Sequence, residues 1–157
     1  MTYKELIRRI ETIAIHQPTI ASIVRDDVYL LNTEQAAKYG VFAWTQNTHR
    51  AEAVGDEAEF SFNLFYIDRL SDGDANRVDI YATGMATLTN IIRTLGAEAG
   101  VGSYTLQPFT QKFLDRCAGV YATITISAEV DNICAAIFEA EPSKHKDFND
   151  DFNMDFY

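Results

Sequence analysis

The stretch Glu57-Ala58-Glu59-Phe60-Ser61-Phe62-Asn63-Leu64-Phe65-Tyr66-Ile67-Asp68-Arg69 decides the fold of this chain. Successive side chains of an extended backbone point to opposite faces. Phe60, Phe62, Leu64 and Tyr66 therefore share one face, and Ser61, Asn63, Phe65 and Ile67 share the other. The second face starts polar and ends apolar. The pattern predicts a strand over residues 57–69 that is covered along one whole face, with something lying over the far end of the other. Ser71-Asp72-Gly73-Asp74 then breaks the chain. Val78, Tyr81, Met85, Leu88, Ile92 and Leu95 follow at intervals of three and four residues, the period of a long helix, with Gly96 expected as its C-terminal cap.

Outward from this pair the reading is similar. Thr2-x-x-Glu5 is a capping box, and Leu6, Ile7, Ile10, Ile13 and Ala14 make one apolar stripe behind it, so a helix is expected over residues 3–16, stopped by Pro18. Residues 20–31 read as extended, broken at Arg25-Asp26-Asp27, with Val28 and Leu30 favouring a short strand. Residues 39–48, with Val41, Phe42 and Trp44, form another strand candidate, and Gly55-Asp56 a turn. Tyr104-Thr105-Leu106 reads as a short strand ended by Pro108. Val120, Ala122, Ile124, Ile126, Ala128 and Val130 alternate with Tyr121, Thr123, Thr125 and Ser127 in a last strand. Strands grouped into a meander, with helices on one face, indicate an α+β domain: a mostly antiparallel sheet of four to five strands carrying two helices. The domain is expected over residues 1–140, followed by an extended acidic, aromatic tail over 141–157.

The chain has 157 residues, of which 47% are apolar, enough for one core and too few residues for two comfortable domains. No apolar run approaches the roughly 20 residues of a membrane span. The N-terminus lacks a basic-then-apolar leader pattern, so synthesis and residence in the cytoplasm are expected. The net charge of −10 and the scatter of the 13 basic residues oppose nucleic acid as a primary ligand, because a phosphate backbone calls for clustered Lys and Arg. Cys117 and Cys134 read as reduced, buried thiols.

Motifs that carry chemistry are missing from the sequence. There is no phosphate-binding G-x-x-x-x-G-K-[ST], no G-x-G-x-x-G and no G-x-S-x-G; Gly100-Val101-Gly102 is too short to cradle a phosphate. His16, His49 and His145 have no second His or Cys at metal-ligand spacing. Asp68, Asp72 and Asp74 are carboxylates near one another, yet Asp72-Gly73 reads as a turn and Asp74 as a helix cap rather than as calcium ligands. Asp151-x-Asn153-x-Asp155 begins like an EF-hand loop but has neither the glycine nor the distal glutamate. No cofactor, metal or catalytic residue is expected.

The tail carries Phe148, Phe152 and Phe156 at four-residue spacing among Asp147, Asp150, Asp151 and Asp155. Such a segment cannot bury enough apolar area alone, while burying each ring contributes about 2 kcal/mol, so it reads as a docking peptide for a sheet edge or for an adjacent subunit.

Three stretches then carry a resemblance. They are the first helix leading through Pro18 to Asp27-Val28-Tyr29; Phe65-Tyr66-Ile67-Asp68-Arg69-Leu70 with Asn76 and the helix holding Gly84, Leu88 and Ile92; and Asp115-Arg116-Cys117-Ala118-Gly119-Val120-Tyr121. With the order of elements over residues 1–130, the chain resembles the tail-terminator and tail-completion proteins of tailed bacteriophages, in the flavour of crAss-like phages of Bacteroidetes. The resemblance implies a structural virion protein, a homo-oligomeric ring at the head–tail neck, contacts to portal or connector and tail proteins, and no cofactor. Asp68, Arg69, Asp72 and Asn76, at the strand-to-helix corner, are then the expected lateral contacts, with Phe148, Phe152 and Phe156 in the tail. Two other readings stand beside it. One is an enzymatic or small-molecule-binding domain whose pocket is lined by Trp44, Tyr66 and Tyr121. The other is an acidic adaptor that mimics nucleic acid.

Overall fold

A computed structural model of the chain describes residues 1–25, 38–51, 57–113 and 115–129. The expected turn at Gly55-Asp56, the Val28–Leu30 segment, Val130, Cys134 and the tail with Phe148, Phe152 and Phe156 lie outside the described residues.

The architecture is α+β. Helix α1 (Tyr3–Ile15) is followed by β1 (Ser22–Arg25), β2 (Val41–Ala51), β3 (Glu57–Arg69), α2 (Arg77–Ala99), β4 (Thr105–Lys112) and β5 (Arg116–Glu129). Among the described residues the strands form one mixed sheet in the order β1-β2-β3-β5-β4, with β1 parallel to β2 and every other pair antiparallel.

The meander expected from the sequence is thus interrupted. Strands β3 and β4 are joined through α2 and stand on either side of β5, a split β-α-β unit. The arrangement places β3 and β5, the two strands with the cleanest alternation, in the middle of the sheet, paired from Glu57↔Glu129 to Arg69↔Cys117. Burying the most regular apolar faces most deeply is the lower-energy choice.

Both helices pack on one face. Helix α1 carries the predicted capping box: the Thr2 hydroxyl accepts from the Glu5 amide at 3.3 Å and the Thr2 amide donates to the Glu5 carboxylate at 2.8 Å. Its buried stripe is Leu6, Ile10, Ile13 and Ala14. Glu11 ties α1 to the sheet by accepting from the Arg25 guanidinium at 2.6 and 3.0 Å and from the Trp44 indole at 3.0 Å. Arg9 and Glu98 join α1 to α2 in a bidentate pair.

Three local expectations are corrected. Helix α2 does not stop at Gly96; it continues to Ala99 and is capped by Gly100, whose φ of 68° suits a residue without a Cβ. Asp74 does not cap α2. It lies in the short 3-10 turn Asp72–Asp74 with φ 58°, and its carboxylate accepts from Arg116 at 2.8 Å, while Asn76 occupies the N-cap position. Pro108 does not end a strand either. Strand β4 runs through it to Lys112, because β4 is at the edge of the sheet, where a missing N–H can face outward.

Candidate interaction surfaces

Three surfaces of this fold are candidates for contact, and each follows from where the chain departs from a simple inside–outside pattern.

The first is the β3–α2 corner. Arg69, Leu70, Ser71, Asp72 and Asn76 line an open depression of about 380 Å³. The Asn76 side chain builds it: its Oδ1 accepts from the Ser71 amide at 2.8 Å and hydroxyl at 3.0 Å, and its Nδ2 donates to the Arg69 carbonyl at 3.0 Å. Asp68 accepts from the Arg69 amide at 2.7 Å and from the Tyr66 hydroxyl at 3.4 Å. Burial, and then the Asp68 carboxylate, push the Tyr66 phenol up to about 12. Asp72 and Arg69 are exposed, whereas Asp68 and Asn76 already serve the local backbone.

The second surface is the outer side of α2. The stripe read from the sequence is only partly core. Leu88, Ile92 and Leu95 are buried, together with Ile80, Gly84, Thr87 and Ile91, but Val78 is 74% exposed and Met85 41% exposed. The buried row is set by where α2 approaches the sheet most closely: a Cβ on Gly84 would stand 2.9 Å from the Tyr66 ring and 3.0 Å from Val120. That approach turns Val78, Ala82 and Met85 outward. Residues 80–92 contain no charged side chain. Surface helices ordinarily place charge opposite their apolar stripe, and α1 does so; α2 does not over this length.

The third surface is the sheet face away from the helices. Its outer end is polar, where Asn47 and Asn63 exchange amide hydrogen bonds at 3.0 and 2.7 Å and the Thr123 hydroxyl donates to Asn63 at 2.7 Å. The opposite end carries a second apolar cluster of Val24, Val41, Ala43, Ile67, Phe113 and Cys117. Half-buried Phe65, Phe109 and Tyr121 sit beside it with ring centroids 5.7–6.1 Å apart. This is the polar-to-apolar switch expected from Ser61, Asn63, Phe65 and Ile67. Tyr39 donates to Asp115 at 2.6 Å at the rim, and burial followed by that carboxylate raises its phenol. Burial likewise raises the Cys117 thiol, as expected for a buried cysteine.

Trp44, Tyr66 and Tyr121 do not share a pocket. Trp44 and Tyr66 belong to the core under the helices, while Tyr121 stacks on Phe65 on the opposite face. Among the described residues, no group of three or more His, Cys, Asp or Glu side chains is placed to hold a metal ion, and no helix is long and apolar enough to cross a membrane. No protein-family model matches the chain, and no curated protein matches it.

Proposed function

We propose that this chain is a structural subunit of a bacteriophage virion, working by presenting surfaces rather than by catalysis. In this reading it assembles with copies of itself into a ring at the head–tail neck, as a tail terminator, completion or connector layer, between portal-side and tail-side proteins. The observation that carries the self-assembly is the outer side of α2. Its N-terminal half exposes Val78, between Arg77 and Asp79, and Met85, within the charge-free residues 80–92. Exposed apolar surface of this kind is stabilised by covering it. Between copies of a chain with net charge −10, an uncharged face is also where approach brings the fewest like charges together. The neck location and the phage context rest on the resemblance of residues 1–130 to tail-terminator and tail-completion proteins.

Light scattering after size exclusion, with negative-stain imaging of the same fractions, tests the assembly. Closed rings of a single multiple of the chain mass are expected. A strict monomer at all accessible concentrations, never recovered in virions, would sink the reading.

A further inference from the structure

We infer that the C-terminal segment of residues 147–157 docks on the aromatic end of its own sheet, on the face away from the helices. The proposal goes beyond the ring and does not rest on it. The receiving surface is made by Phe65, Phe109 and Tyr121, one ring from each of three neighbouring strands; Phe65 and Phe109 pack against the cluster that holds Ile67 and Cys117, and Tyr121 packs against both rings. Among the described residues both helices lie on the other face, so these rings remain partly accessible.

The length of chain beyond the sheet and the point where it leaves select the occupant. Strand β5 ends at Glu129, eight residues past Tyr121, or about 27 Å along a strand. Phe148 stands nineteen residues beyond Glu129, and a contour of about 65 Å is more than twice the return distance. A tethered segment meets its own sheet at an effective concentration on the order of millimolar, which free copies do not reach in dilute solution.

Chemistry agrees with reach. Phe148, Phe152 and Phe156 are separated by even numbers of residues, so an extended segment presents all three rings on one side. Aromatic rings favour offset or edge-on contact with other rings. The segment also carries Asp147, Asp150, Asp151 and Asp155. Beside the rings stands Gln107, whose amide oxygen accepts from the Tyr121 hydroxyl, and four residues along β3 from Phe65 stands Arg69, paired with Asp115 at 3.7 Å. An acidic strand therefore meets a cation and an amide there.

Photo-crosslinking tests this in the full chain. With p-benzoylphenylalanine at position 152, the expected adducts fall in peptides holding Phe65, Phe109 or Tyr121, in protein that runs at monomer mass. Phe109→Ser with Tyr121→Ser should lower their yield about tenfold. Adducts elsewhere, adducts found only in covalent dimers, or none at all would overturn the assignment. Because the double variant alters the sheet, a second measurement leaves the sheet untouched: Phe148→Ser, Phe152→Ser and Phe156→Ser together. Bared rings should raise the fluorescence of an added anilinonaphthalene sulfonate severalfold; unchanged dye fluorescence would count against docking.

Discussion

The two faces of the sheet are written by the same strands, yet only one of them is apolar throughout. Toward the helices, Phe60, Phe62, Leu64 and Tyr66 on β3 face Ala122, Ile124 and Ile126 on β5, without a polar interruption. Away from the helices the same strands begin with Ser61, Asn63, Thr123 and Thr125 and change to Phe65, Ile67 and Cys117. A face that is apolar along its whole length commits the chain to a layer of helices over it. A face that changes half-way needs cover only locally, and there the molecule has surface to spare for contacts.

The largest effect is expected at Gly119, where β5 lies against the backbone of β3 at Tyr66. A Cβ there would stand 2.0 Å from the Tyr66 carbonyl oxygen and 2.9 Å from the Phe109 ring. Gly119→Ala should cost about 4 kcal/mol or more, because backbone in the two central strands must move. Thermal unfolding reads it directly; a midpoint within a few degrees of the parent would mean that β3 and β5 do not approach as described.

The next test compares the faces themselves. Phe62→Ala removes a fully buried ring under the helices and should cost about 3–5 kcal/mol. Phe65→Ala, on the other face, should cost about 1–2 kcal/mol, since its ring is already part-exposed. Equal losses in urea unfolding would remove the distinction.

A smaller effect appears with pH. The Tyr66 phenol is raised from 10.0 to about 12 in the folded chain, first by burial and then by Asp68. A group with a raised folded pKa contributes its stability fully below the unfolded value and loses it as pH climbs through the folded one. Between about pH 10 and 12 the chain should lose on the order of 2 kcal/mol from this group. Tyr66→Phe should flatten that part of the profile, and a slope identical to the parent's would assign the loss elsewhere. Raised Tyr39 and Cys117 add alkaline losses of the same sign.

The smallest expected change in stability belongs to the outer side of α2. Val78→Ser with Met85→Ser should alter unfolding by about 0.5 kcal/mol or less, since both side chains are exposed. The same variant should reduce the assembled mass sharply. Assembly equal to the parent's would move the self-contact to another surface.

Local chemistry made much of this legible in the sequence. The capping box, the α1 stripe and the limits of β3 depend on residues within a few positions of one another, and the structure places all three where the pattern did. The turn at Asp72-Gly73 was legible for the same reason. The partner of Asp74 was not, because Arg116 lies forty-two residues away and reaches it only once β5 has been inserted beside β3. Nor could the sequence tell that Val78 and Met85 face outward. An apolar row at helical spacing is the same text whether it meets a sheet or a neighbouring molecule. Which side of α2 turned inward was decided by the close approach at Gly84, where the helix nears Tyr66 and Val120.

What the sequence determined by itself is the set of elements and the side of each strand that must be covered, because periodicity and capping act over short range. Strand order, the passage of β4 through Pro108, the division of Trp44 and Tyr66 from Tyr121, and the exposure of half of α2 were decided only by tertiary structure. Each depends on which distant strand lies alongside, and that choice is made by the burial free energy of the whole sheet rather than by any one segment.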